Sequence, residues 1–234
     1  TEQFGLGAPA VLDGRQHSSV TVQGSGRVGP AVAALLAAAG VGHVSLAGHG
    51  RVTRTQTLPG GLTAADEGTE RGAAFSSAVA RAAPDADTAP PALGGRPGLV
   101  LLAVDEPVEE ECTDSLHARG CPHLLVRTSP GLGVVGPLVV PGITSCLRCL
   151  DRHRTERDPT WSALAVQLSN PSRSDTCSPT VLAALVAALA ATEALAFLDG
   201  LSPAVTDASL EVRPADWRIR RRSWEAHPDC GCLC

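Results

Sequence analysis

Two groups of residues in this 234-residue chain have types and spacing that could do chemistry. The first is Cys146-Leu147-Arg148-Cys149 with Cys230-Gly231-Cys232 near the end of the chain. A C-x-x-C turn places two thiolates on one side of a knuckle, and a second cysteine pair completes the tetrahedral coordination of Zn2+. A closed four-ligand site is structural rather than catalytic, and its metal-binding energy adds to fold stability by stapling the tail to the middle of the chain. The second pair is C-x-C, so Cys234 and His227 stand as alternative ligands. A redox C-x-x-C with unrelated tail cysteines is the competing reading, and zinc is preferred to it. The second group is Gly24-Ser25-Gly26-Arg27-Val28-Gly29. Its glycines permit a tight turn and let backbone approach a phosphate, while the helix N-terminus that follows offers free N–H groups and a partial positive charge.

Such a glycine turn has meaning only between a strand and a helix. Residues 19–23 (SVTVQ) alternate and are β-branched, which predicts a strand, and residues 30–39 (PAVAALLAAA) predict a helix with proline in its first turn. A short strand over 44–47 completes a βαβ unit. Residues 64–83 read as a surface helix and 84–97 as a loop. The continuous apolar run 98–104 (GLVLLAV) suits a strand buried on both faces of a parallel sheet. A helix over 109–118 and a strand over 123–127 follow. Residues 131–140 (GLGVVGPLVV) read as a glycine-punctuated hairpin or bent strand pair, and 151–175 as a polar, mobile crossover. The Ala-rich stretch 181–198 reads as a buried core helix rather than a membrane span, because it is dominated by Ala and carries Thr192 and Glu193. Residues 208–212 and 217–222 read as antiparallel edge strands.

Composition narrows the function classes. Hydrophobic residues are 44% of the chain, enough for a core, and the net charge of −5 argues against a general nucleic-acid or membrane-surface binder. All 19 basic residues are arginine, so no lysine is available as a Schiff base or phosphate ligand. The basic run Trp217-Arg218-Ile219-Arg220-Arg221-Arg222 fits a solvated edge strand better than a binding patch, although an acidic peptide could pair along it. No signal-peptide pattern opens the sequence, and a cytoplasmic location is expected. Cys112 and Cys121 flank a predicted helix and read as core residues. An NAD dehydrogenase needs an acid at the end of the second strand, where the chain has Ala47-Gly48-His49-Gly50.

The order of these features resembles the ThiF/MoeB-type, ubiquitin-activating-enzyme-like adenylyltransferase superfamily over about residues 19–232. The resemblance rests on the glycine turn, Ala39-Gly40-Val41-Gly42, Ala103-Val104-Asp105, the 136–141 segment, Cys146-Leu147-Arg148-Cys149-Leu150, Thr176-Cys177, Glu193-Ala194-Leu195 and the closing cysteine pair. Residues 191–200 and His227-Pro228-Asp229-Cys230-Gly231-Cys232 are most similar to actinobacterial ThiF-type proteins found beside azoline-forming peptide pathways. The resemblance implies a Rossmann-like α/β fold: a mostly parallel sheet with a C-terminal antiparallel extension and a structural zinc site. It implies an N-terminal extension over 1–18, a nucleotide-binding half over 19–145, and a zinc knuckle, crossover, Ala-rich helix and terminal strands over 146–234.

The family uses ATP and Mg2+ to adenylate the C-terminal carboxylate of a peptide or small carrier protein. Gly24, Gly26, Gly29, Arg27 and Gln56 then fall on cofactor-binding positions. Arg71 replaces the phosphate-binding lysine, Asp105 matches the magnesium-associated aspartate, and Cys177 lies where some members carry an acyl- or sulfur-accepting thiol. Cys177 also reads as a half-buried cysteine capping the next helix, which is the preferred reading. The ribose-binding aspartates fall on Gly48 and Gly50, and the Asn/Arg segment on Gln56 and Pro59. The partner-donated arginine has no counterpart in residues 1–18. The expectation is therefore a chain with a degenerate ATP site that positions a precursor peptide or carrier protein for a partner modification enzyme, as a homodimer. An active adenylyltransferase is the alternative.

Overall fold

The computed structural model describes residues 8–90, 95–105, 108–160 and 178–232. Helix α1 (Ala8–Gln16) leads into β1 (Ser19–Gln23), α2 (Val28–Ala38), β2 (His43–Ala47), α3 (Arg71–Ala82), β3 (Leu99–Ala103), α4 (Glu110–Ala118), β4 (His123–Ser129) and β5 (Leu132–Val139). Then come α5 (Leu147–Arg157), α6 (Thr180–Leu198), β6 (Ala208–Val212) and β7 (Ile219–Ser223). All the strands join one seven-stranded sheet in the order β2-β1-β3-β4-β5-β6-β7. The first four run parallel, and β4 through β7 pair antiparallel. The expected Rossmann-like sheet with a C-terminal antiparallel extension is what the chain forms, with the parallel pairings making up half of the sheet rather than most of it.

The apolar run of β3 is buried at every position, because both faces of the sheet are covered. Leu99, Leu101 and Ala103 join the core shared by α2 and α6, and Val100 and Leu102 join a second core with Leu116 and the knuckle cysteines. Small residues on α2 and α6 let those helices pack closely together, α2 over β1 to β4 and α6 over β4 and β5. Helix α6 is long and apolar enough to cross a membrane by length and composition. Here Leu182, Val186, Ala187 and Ala190 are buried in the main core, as the core-helix reading expects. Arg15 clamps α1 to the end of α6 through two guanidinium bonds to Asp199, at 2.8 and 2.6 Å.

Four local expectations are corrected. Residues 64–83 are not one helix: a 3-10 turn at Ala64–Asp66 is followed by Gly68 at φ +80°, and α3 starts only where Glu70 caps the Gly72 and Ala73 N–H groups. Residues 131–140 hold one strand rather than a strand pair, since β5 forms its hairpin with β4. Its Gly136-Pro137 punctuation is absorbed as a bulge where the register shifts between Leu124 and Val126. The polar segment from 151 begins as helix, because α5 runs to Arg157; residues 161–177 lie outside the described residues. Strand β6 is internal, with β7 as the edge.

Candidate functional site

Strands β1 and β3 are neighbours, but β1 connects onward to β2 on one side and β3 to β4 on the other. Their C-terminal ends therefore open a crevice at a topological switch point, where ligands bind in open α/β sheets. The glycine turn leaves β1 there and presses on the end of β3. Gly26 N–H donates to the Ala103 carbonyl at 3.1 Å. Gly24 lies at φ +119°, and a Cβ there would come 2.3 Å from that oxygen. At Gly29 a Cβ would lie 2.7 Å from Val22 Cγ1, so this glycine lets α2 sit on β1. The three glycines thus have packing reasons of their own, apart from any ligand.

The other predicted residues converge on this turn to different degrees. Arg71 is buried, and its guanidinium donates to the Gly24 carbonyl at 2.9 Å; burial pushes its pKa down. Gln56 donates to the Ser25 carbonyl at 3.0 Å and accepts from Thr53 N–H, which ties the 53–56 turn to the glycine loop. Asp105 faces the turn, with Oδ1 3.3 Å from where a Cβ of Gly26 would stand. Arg27 points away into the protein: it is buried and donates to the carbonyls of Ser178 and Thr57. At Gly48 and Gly50 an added Cβ would meet nothing within 4 Å, so the wall where ribose acids are expected is open. Cys177 lies outside the described residues.

Two residues that sequence reasoning missed join the site. Ser178 Oγ donates to Thr128 Oγ1 at 3.1 Å, and Thr128 donates to Asp105 Oδ1 at 3.2 Å. Both hydroxyls are buried. Thr128 lies near the C-terminal end of β4, the same end of the parallel sheet as Asp105, and that position was its only signal.

The four predicted cysteines also converge. Cys146 Sγ lies 3.7 Å from Cys149 and 3.4 Å from Cys230, and Cys149 lies 3.4 Å from Cys232; all four sulfurs are within 4.8 Å of one another. Tetrahedral zinc with bonds of about 2.3 Å sets sulfurs about 3.8 Å apart, so this donor set fits zinc. His227 is not among these sulfurs: its backbone N–H donates to Cys149 Sγ at 3.3 Å and its ring turns to Glu156. Cys234 lies outside the described residues.

The chain matches the model of the ThiF family over residues 9–234. It belongs to the ThiF family. No curated protein matches this ThiF-family chain. Among solved structures, it is similar to Escherichia coli MccB with AMPCPP and MccA, at 18% identity and a TM-score of 0.80, covering 98% of this chain and 70% of that one. It is also similar to the microcin C7 biosynthetic enzyme MccB in complex with N-formylated MccA, at 18% identity and TM-score 0.79, covering 99% and 72%. PaaA matches at 16% identity and TM-score 0.69, covering 92% and 75%. At these identities the likeness establishes the fold.

Charge in the ThiF-family chain's knuckle favours a cation. Burial pushes the Cys149 thiol up, but N–H donors from His227 and Cys146 and its thiol neighbours outweigh that and bring it to about 7. Burial, then bonds with Cys146 and Cys149, pushes Cys230 up to about 11. One thiolate forms readily and the next resists, because burial and then the neighbouring sulfurs oppose a second negative charge. A divalent ion relieves that repulsion and draws the remaining protons off. The crevice brings together a glycine turn, a buried arginine and a carboxylate, with glycines at 48 and 50. The arginine run on β7 is spent locally: Arg220 bonds Asp216, Arg221 bonds the Ala204 carbonyl at 2.8 Å, and Arg222 pairs with Glu211 at 3.2 Å.

Proposed function

We propose that this ThiF-family chain binds and positions a peptide or small carrier protein for a partner modification enzyme in natural-product peptide biosynthesis, with a crevice that no longer holds ATP productively. The observation that carries this reading is the open wall at Gly48 and Gly50 on an otherwise retained glycine-turn scaffold. Losing one hydrogen bond to a charged acceptor costs about 1.5–3 kcal/mol, and losing several weakens nucleotide binding by orders of magnitude. The peptide half of the reading is supported by a relative of the same fold, MccB, which is solved in complex with MccA. The azoline-pathway subgroup and a homodimeric state belong to the same proposal. A pyrophosphate-exchange assay with Mg·ATP and peptide substrates from azoline-forming pathways tests it. The expected result is peptide binding, by fluorescence anisotropy, that is unaltered by ATP and unaccompanied by exchange. Robust ATP-dependent exchange would overturn it.

A second reading, an active adenylyltransferase with a shifted ATP pose, is favoured by Arg71 and Asp105 both facing the glycine turn. Under that reading the carboxylate of Asp105 would hold Mg2+ and the turn's N–H groups would receive phosphate oxygens. Asp105→Ala would then abolish exchange, and unchanged exchange in that variant would count against it.

A further inference from the structure

Beside the four-cysteine knuckle, the described residues bring together a second group of metal-ligating side chains: His153, Glu156 and His227, with one donor atom each inside a 4.8 Å span. His153 and Glu156 lie three residues apart on α5, so their side chains share one face of the helix. His227 arrives from the loop that leads to Cys230, with its side chain only 4% exposed. Its Nε2 lies 2.8 Å from Glu156 Oε1, and His153 Nδ1 lies 3.6 Å from Glu156 Oε2. The two rings are 5.0 Å apart and tilted by 60°. Glu156 is 61% exposed, so the group opens to solvent on the carboxylate side.

We propose that these three residues form a second, exchangeable site for a borderline divalent transition-metal ion such as Zn2+, Co2+ or Ni2+, with coordination positions left open for water or an exogenous ligand. Two imidazoles and one carboxylate are a donor set for such ions, and three protein ligands leave a site incomplete in the way open sites are. The surroundings orient both rings. His153 Nε2 meets the Glu225 carbonyl at 2.9 Å; donating there turns Nδ1, with its lone pair, toward Glu156. Metal-bound histidines are commonly fixed by such an outer bond. His227 is placed by its backbone N–H bond to Cys149, so the knuckle builds one wall of the second site.

One contact weakens the site. Asp229 N–H donates to His227 Nδ1 at 3.2 Å, so without a metal the ring proton sits on Nε2 and is donated to Glu156. An ion at Nε2 displaces that proton, the ring takes its hydrogen at Nδ1, and the Asp229 bond is lost. The second site is therefore weaker than the closed sulfur cluster and fills after it. This inference does not depend on whether the crevice binds ATP.

The test uses the full chain, free of tags, with zinc already bound to the cysteine cluster. Co2+ is added under equilibrium dialysis, with metal analysis and absorption spectra. The expected result is one Co2+ per chain with the zinc retained and without a thiolate-to-metal charge-transfer band. His153→Ala and Glu156→Gln should each weaken that binding by at least about tenfold, since even outer-shell losses cost 10–100-fold. The exposed Glu156→Gln change leaves the fold intact, as circular dichroism checks. Absence of a second bound ion, a thiolate band on it, or an affinity that neither variant alters would overturn the proposal and leave His227 and Glu156 as a hydrogen-bonded latch.

Discussion

In the proposed reading, Arg71, Gly48 and Gly50 decide what the crevice can hold. Arg71 occupies a position the family resemblance gives to a phosphate-binding lysine, but its guanidinium is engaged with the Gly24 carbonyl and buried under the glycine turn. A planar, five-donor group held in that way braces the turn instead of reaching freely for phosphate. Arg71→Met should therefore destabilise the protein by about 1.5–3 kcal/mol in urea denaturation, the value of a hydrogen bond from a charged group. No change in midpoint would show that the turn does not need it. Gly48 offers the converse experiment. A Cβ there meets nothing within 4 Å and the backbone is not left-handed, whereas Gly50 at φ +112° would be strained by any side chain. Gly48→Asp adds one carboxylate acceptor there, and calorimetry should show measurable Mg·ATP binding where the parent chain gives no heat, a gain of about tenfold or more. These positions were singled out by the family resemblance. The Ser178–Thr128–Asp105 chain was not, because it joins the ends of β3 and β4 to the start of α6, which only the folded sheet brings together.

At the scale of elements, the packing of α6 on β5 sets the second half of the molecule. Gly133 lies directly under the helix, where a Cβ would stand 2.4 Å from Val186 Cγ2 and 3.1 Å from Leu182 Cδ1. Gly133→Ala should overpack this contact and cost about 1–3 kcal/mol, read as a lowered thermal midpoint; an unshifted midpoint would mean α6 slides freely on the strand. Elements whose signal is continuous, such as the β3 run and the Ala-rich helix, could be read from sequence. Those set by distant partners could not. Residues 208–212 read as an edge strand, yet the polar residues there are buried by long-range contacts: Trp224 Nε1 donates to Ser209 at 2.9 Å and Arg222 pairs with Glu211. The start of α3 was missed because glutamate is an uncommon cap, and only the fold shows Glu70 accepting two backbone N–H groups.

At the scale of the whole molecule, the chain is one sheet closed by a sulfur cluster that ties the last residues to the start of α5. The C-x-x-C and C-x-C spacing announced four ligands, and the fold brings those four sulfurs together and turns the His227 ring to Glu156. With zinc in that cluster, Cys149→Ser or removal of metal by a chelator should lower the melting temperature by about 10 °C or more, since each kcal/mol corresponds to about 2–4 °C in a chain of this size and structural zinc contributes several kcal/mol. An unchanged melting temperature with metal content falling to zero would separate the cluster from stability. The same sheet carries a glycine turn, a buried arginine and a carboxylate around a crevice without ribose acids, and the reading of the protein as a peptide-positioning scaffold depends on what that crevice binds. Calorimetric titration of the folded, zinc-loaded chain with Mg·ATP tests this most directly. No detectable heat of binding, with the protein demonstrably folded, is the predicted result. Saturable binding at micromolar strength would contradict the scaffold reading and assign the chain to adenylation.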